Sequence, residues 1–343
     1  MNTSRFWLKN PVADSLFILS PPFICLLLLL LFPDHFIQQN QIGLSEWVIL
    51  ILCIDVAHVY STLYKTYWDK TALTKNRQLF LLIPILCWLV AAFTYSLSPK
   101  MFWHVIAYIA VFHFVRQQYG FMRLYSRQEQ LPVWRKRIDQ IAIYSATLGP
   151  LLFWHFSAER NFNWFLSGDF FLSESETLSS LVLVVYWTLQ ILYTGVLLND
   201  SRNRQLNLPK LFLWLGTSLS WYVGIVWLNG DLTFTLFNVV AHGIPYMALI
   251  YWQRKPNERN ATPWKAVLVF LLPLLAFAFV EEGLWDRLFW HESDHRALFG
   301  LFDFIPTLRG HELKALAIAT LSLPQLTHYV LDGFIWTRKY QSG

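Results

Sequence analysis

Four histidines stand inside long apolar stretches of the chain: His58 in IDVAHVY, His113 in FHFVRQQYG, His242 in FNVVAHGIPY and His328 in QLTHYVLDGFIW. Most have polar company. Asp55 precedes His58 by three residues, Gln117 and Asp332 follow His113 and His328 by four, and Arg116 stands beside Gln117. Residues three or four apart share one face of a helix, so each pair presents its polar groups together. An ionisable group within a membrane is costly and normally faces a protein interior or a water-filled cavity, which makes each of these residues a candidate for function.

The chemistry open to such a set is metal binding. Neutral imidazole suits zinc, copper, iron or nickel, and carboxylates added to it favour octahedral iron over a tetrahedral structural site. Asp55 and Asp332 can be ligands themselves, or can accept a hydrogen bond from the outer nitrogen of a ligand imidazole and fix its tautomer. The spacing is compatible with both roles. Arg116 and Gln117 are hydrogen-bond donors fit to steer a reacting oxygen atom. Gly243, Pro245 and Gly333 lie beside the polar groups, where small residues let helices approach closely. Tyr60, Tyr108, Phe112, Phe114, Tyr119, Tyr246, Tyr329 and Phe334 flank them.

Depth along the helices brings the candidates to one level. Counting to the first basic residue beyond the inner helix end, Asp55 is 10 residues from Lys65, His113 is 10 from Arg123 and His328 is 10 from Arg338. His242 is 12 from Arg254, and His58 is 7 from Lys65. At ~1.5 Å per residue these separations place the groups in one layer between mid-bilayer and the inner leaflet. Helices running in the same direction can converge on such a layer and build a centre from their facing side chains.

The elements that must carry these residues follow from composition. Of 343 residues, 55% are hydrophobic and 14% charged, against roughly 25% charged in soluble domains. This excludes an ordinary soluble domain and predicts an all-α, polytopic membrane bundle in a single domain. Stretches long enough to cross a ~30 Å hydrocarbon core fall at about 12–33, 44–64, 78–98, 101–124, 138–157, 178–198, 210–229, 231–253, 263–281 and 312–337. That predicts ten helices, with Pro84, Pro150, Pro245, Pro273 and Pro324 as kink sites. With the N-terminus inside, 20 Lys and Arg residues lie on the inner side. Six lie outside: Lys100, Arg160, Arg287, Arg296, Arg309 and Lys314. This asymmetry predicts N-in and C-in topology, in the cytoplasmic membrane for a bacterial host.

The net charge of +5 therefore reports topology rather than a nucleic-acid partner. Cys25, Cys53 and Cys87 show no paired spacing and read as buried small hydrophobes. The first apolar run lacks a small-residue cleavage site and reads as a retained helix. Glu281 to Gly310 is the longest polar excursion, with Trp285, Leu288, Phe289 and Trp290 suggesting an amphipathic segment on the membrane. His35, His104, His155 and His311 read as peripheral. His291 and His295 in HESDH, with Glu281 and Glu282, read as parts of a solvated outer segment.

The motifs DVAH, FHF, VVAHG and LTHYVLD resemble those of the Brp/Blh family of membrane β-carotene-cleaving dioxygenases, in which histidines from several transmembrane helices hold a non-haem iron. The resemblance covers these four short patches and implies His58, His113, His242 and His328 as ligands to Fe2+. It further implies dioxygen as co-substrate and oxidative cleavage of a carotenoid-like polyene. The clustered HxxxH and HxxHH boxes of di-iron desaturases are absent from the spans, which argues against a di-iron centre.

The expectation is thus a membrane metalloprotein, an iron-dependent oxidoreductase whose lipophilic substrate arrives laterally from the bilayer. Zinc or haem are the alternative cofactors, haem through two facing axial histidines. A transporter or proton relay built on the His, Asp and Arg cluster is the alternative of a different class, and a subunit whose polar residues only lock helix packing is another.

Overall fold

The computed structural model describes residues 6–38, 41–203, 205–254 and 263–336. All its regular elements are helices, with no strand among the described residues. Each of the ten apolar stretches is largely helical over its described part. Five helices are long and apolar enough to cross a bilayer: Leu44–Lys65, Arg77–Leu97, Glu176–Arg202, Asp231–Gln253 and Pro263–Trp290. Pro11–Leu19 with Pro21–Leu31 adds a sixth if that bent pair is one span. These apolar helices mark a membrane protein. Pro99–Tyr125, Val133–Phe156, Leu208–Trp221 with its extension Tyr222–Trp227, and His311–Leu321 followed by Leu323–Ile335 complete the set. They are shorter or carry more polar groups. The basic loop at 253–265 lies largely outside the described residues, as do Arg5, Arg204 and the C-terminal basic pair.

The first helix differs from the single rod expected over 12–33. It bends by 58° between Pro11–Leu19 and Pro21–Leu31. Pro21 supplies no N–H to the helical ladder, while Ser20 Oγ donates to the Leu16 carbonyl at 2.8 Å, a local bond that competes with regular winding. By contrast, the helices containing Pro84, Pro150, Pro245 and Pro273 continue through them. Pro324 stands in the first turn of Leu323–Ile335, where a missing N–H costs nothing.

The chain divides into two compact units, Met1–Ile42 with Phe114–Ala248, and Gly43–His113 with Leu249–Gly343. Both changes of unit in the later chain fall inside helices. The first unit is pinned by a buried ion network. Lys210, only 2% exposed, donates to Glu129 at 2.9 Å and Asp139 at 3.0 Å. Arg135 pairs with Asp139 and, at 2.6 Å, with Asp200. Tyr193 completes the shell by donating to Asp139 at 2.9 Å. A second, aromatic anchor stacks Phe162 on Phe234 at 4.4 Å and sets Trp154 edge-on to Phe162, Phe170 and Phe234.

In the second unit, Phe80, Leu331 and Ile335 form a core that joins Arg77–Leu97 to Leu323–Ile335. The helix carrying His58 is wound wide over Val48–Val56, as a π-helix, before tightening at Ala57–Ser61. Such widened turns recur at functional sites, and this one includes Asp55. Close approach requires glycine at position 283, where a Cβ would meet the Phe302 ring at 2.2 Å. Gly333, expected to serve helix contact, has open space where its Cβ would be.

Candidate metal centre

Three helices of the second unit deliver the centre's best-defined part. His58 comes from Ala57–Ser61, His113 from Pro99–Tyr125 and His328 from Leu323–Ile335. All three are almost fully buried, and each places a ligand nitrogen within 4.8 Å of the others. His113 Nε2 and His328 Nε2 stand 3.1 Å apart. Two nitrogens bound at about 2.0–2.1 Å to one ion can have that separation. The His58 and His328 rings meet edge to face at 5.0 Å, and the His113 ring lies 4.5 Å from that of His328.

The outer edges of these rings are held by other side chains. Thr62, one turn beyond His58, places Oγ1 2.6 Å from His328 Nδ1. If Nδ1 carries the ring proton it donates to Thr62, leaving the Nε2 lone pair on the side of His113. Asp332 Oδ2 lies 3.6 Å from His113 Nδ1, and Asp55 Oδ1 lies 3.7 Å from His58 Nδ1. These are ion-pair separations, longer than a hydrogen bond. Asp332 is itself held by the Trp336 indole N–H. Both carboxylates therefore stand at the Nδ1 edges, and neither belongs to the group of converging ligand atoms.

His242 lies in the first unit and is also buried. Its ring stacks on Phe114 at 3.6 Å and 7°, and its carbonyl accepts from Gln117 Nε2 at 2.9 Å. Within the second unit, the three buried histidines His58, His113 and His328 could thus hold a metal ion. Gln117 is buried and engaged with backbone. Arg116 is exposed, donates to Tyr144 Oη at 2.7 Å and stacks over the Tyr119 ring at 5.0 Å.

A cavity of about 500 Å³ reaches the site within the second unit, inside the range of small-molecule pockets. Its walls are Val59, Leu63, Phe80, Pro84 and Leu331, together with the exposed Leu81 and Ile85 and the buried His328 and Thr62. It is almost wholly apolar apart from these site residues and the Thr66, Thr327, Tyr60 and Tyr67 side chains.

Several sequence expectations need correction. Glu281 and Glu282 are buried rather than solvated, and Glu281 accepts from Tyr60 Oη at 2.5 Å. His295 is buried against Trp47, with Glu292 at 3.4 Å, and His104 is buried too. Trp285 is buried, so the segment after Glu281 is not simply laid on a membrane surface. Phe112 and Phe334 are exposed, whereas Phe114 and Tyr329 do pack on site imidazoles. Cys53 is only half-buried. Sequence reasoning missed Thr62, although its place four residues after His58 on the same helical face was the available signal. No protein-family model, curated protein or solved structure matches this chain.

Proposed function

We propose that the protein is a membrane-embedded, non-haem iron oxygenase acting on a lipophilic substrate. The observation that carries this reading is the apolar cavity whose lining includes both the exposed Leu81 and Ile85 and the buried His328, a member of the buried histidine group. In this reading His58, His113 and His328 hold the metal. The motifs resembling the Brp/Blh family favour iron and a polyene substrate.

Bound iron with an open coordination position would supply dioxygen activation, for a net reaction in which one C=C bond and O2 give two carbonyl groups. The protein's own residues set the conditions. Thr62 holds the His328 ring by Nδ1, Asp332 and Asp55 face the outer nitrogens of His113 and His58, and Tyr329 supports the His113 ring. The apolar walls exclude water and seat a hydrocarbon chain beside the imidazoles. Gln117 acts by tying the Pro99–Tyr125 helix to the His242 backbone.

In this account all ten helices cross the bilayer with both termini inside, and a bacterial host would carry the protein in its cytoplasmic membrane. The test is aerobic incubation of iron-loaded protein with β-carotene and with a saturated hydrocarbon of similar length. Carbonyl products from the polyene alone support the reading, and their absence, with iron bound, refutes polyene cleavage. A protein that binds no metal but moves protons or solute across vesicles would instead be the transporter alternative.

A further inference from the structure

We infer that the first unit carries a binding site for an anionic glycerophospholipid, independent of the metal reading. A groove of about 650 Å³ runs between Val133–Phe156 and Glu176–Arg202. Its walls extend from Arg137 through Tyr144 and Leu148 to Leu152, fifteen residues or ~22 Å of helix, with Leu181 and Val185 opposite. That length matches an extended acyl chain with its headgroup. The groove's apolar part is exposed at Leu148, Leu152, Leu181 and Val185, on helices one of which is apolar enough to cross a bilayer.

Charge selects the occupant. Arg137 and Gln140 stand at one end of the groove, exposed and without a hydrogen-bond or ion-pair partner among the described residues. Arg116 reaches the same groove through Tyr144, one of its lining residues, about two turns further in. Arg116 is an exposed cation in an apolar helix whose described partners are a neutral phenol and an aromatic ring. Neighbouring Arg135 is different, being consumed by Asp139 and Asp200. No acidic residue lines the groove. Two uncompensated guanidinium groups beside an apolar channel fit a phosphate headgroup of net negative charge, with its chain laid past Leu148 towards Leu152. A zwitterionic choline lipid would bring a cation to the same end and gain less.

The experiment is native mass spectrometry of the full chain in detergent, titrated with dioleoyl phosphatidylglycerol or dioleoyl phosphatidylcholine. The wild type should retain the glycerol lipid in preference to the choline lipid. Arg137→Gln should cut that preference about fivefold, and Arg116→Gln should reduce it as well. Val185→Trp, which fills the apolar part, should lower retention of both lipids. Arg137 is exposed and partner-free, so its variant should fold normally, checked by circular dichroism. Equal retention of the two lipids by the wild type, or an unchanged preference in Arg137→Gln and Arg116→Gln, overturns the inference. The metal content of Arg137→Gln should equal that of the wild type, which separates this site from the histidine centre.

Discussion

His113 and His328, 215 positions apart in sequence, bring their Nε2 atoms to 3.1 Å. Two neutral imidazoles can share such a contact only if one nitrogen donates a proton to the other, or if both lone pairs turn to a common cation. With His328 Nδ1 placed against Thr62 Oγ1, the second arrangement gives every ring nitrogen of His328 a partner. The predictions below follow from that geometry and from the packing around it.

Thr62 is a positioning residue for His328. Thr62→Val keeps the shape of the buried side chain and removes the hydroxyl, so metal affinity should fall by about 10- to 100-fold with little change in the circular dichroism spectrum. Chelator competition measures it. Affinity equal to the wild type would remove Thr62 from the centre.

His242→Ala separates a four-histidine set from a three-histidine one. Membership in the set requires a loss of metal affinity at least as large as that of Thr62→Val. If only the thermal midpoint changes, the stacking of His242 on Phe114 is its whole role.

Leu81→Trp places a bulky ring at the exposed side of the 500 Å³ cavity. Turnover of a lipophilic substrate should drop about tenfold, since a displaced substrate loses its reactive alignment, while metal stoichiometry stays the same. Undiminished turnover would place substrate access elsewhere.

Lys210→Met removes the cation from between Glu129 and Asp139. Breaking a buried ion pair from one side costs about 3–5 kcal/mol, so the thermal midpoint in detergent should fall clearly. An unchanged midpoint would mean that Arg135 alone neutralises this network.

Much of this was readable from the sequence, for reasons that differ by residue. Apolar length located stretches that are largely helical, five of them long and apolar enough to cross a bilayer, because hydrocarbon thickness and helical rise leave little choice. Similar distances to the flanking basic residues, 7 for His58 and 10 for His113 and His328, put the three in one layer, and their rings do meet. Depth says nothing of azimuth, however. Arg116 and Phe112 fall on an exposed face of the helix whose other side buries His113 and Gln117. The burial of Glu281 was hidden because its partner, Tyr60, comes from a helix more than 200 residues earlier. Local spacing cannot report such pairs. The bend at Pro21 had a signal in the adjacent Ser20, Pro21 and Pro22, whereas the wide winding of Val48–Val56 has no comparable sequence marker.

The most direct measurement is the metal content of protein purified gently in detergent, by mass spectrometry, beside an absorption spectrum of the same sample and of His113→Ala and His328→Ala. The account predicts about one iron per chain, as one ligand set implies, no Soret band, and loss of the metal in both variants. Wild-type protein that stays metal-free after iron reconstitution, or variants that keep full stoichiometry, would contradict it.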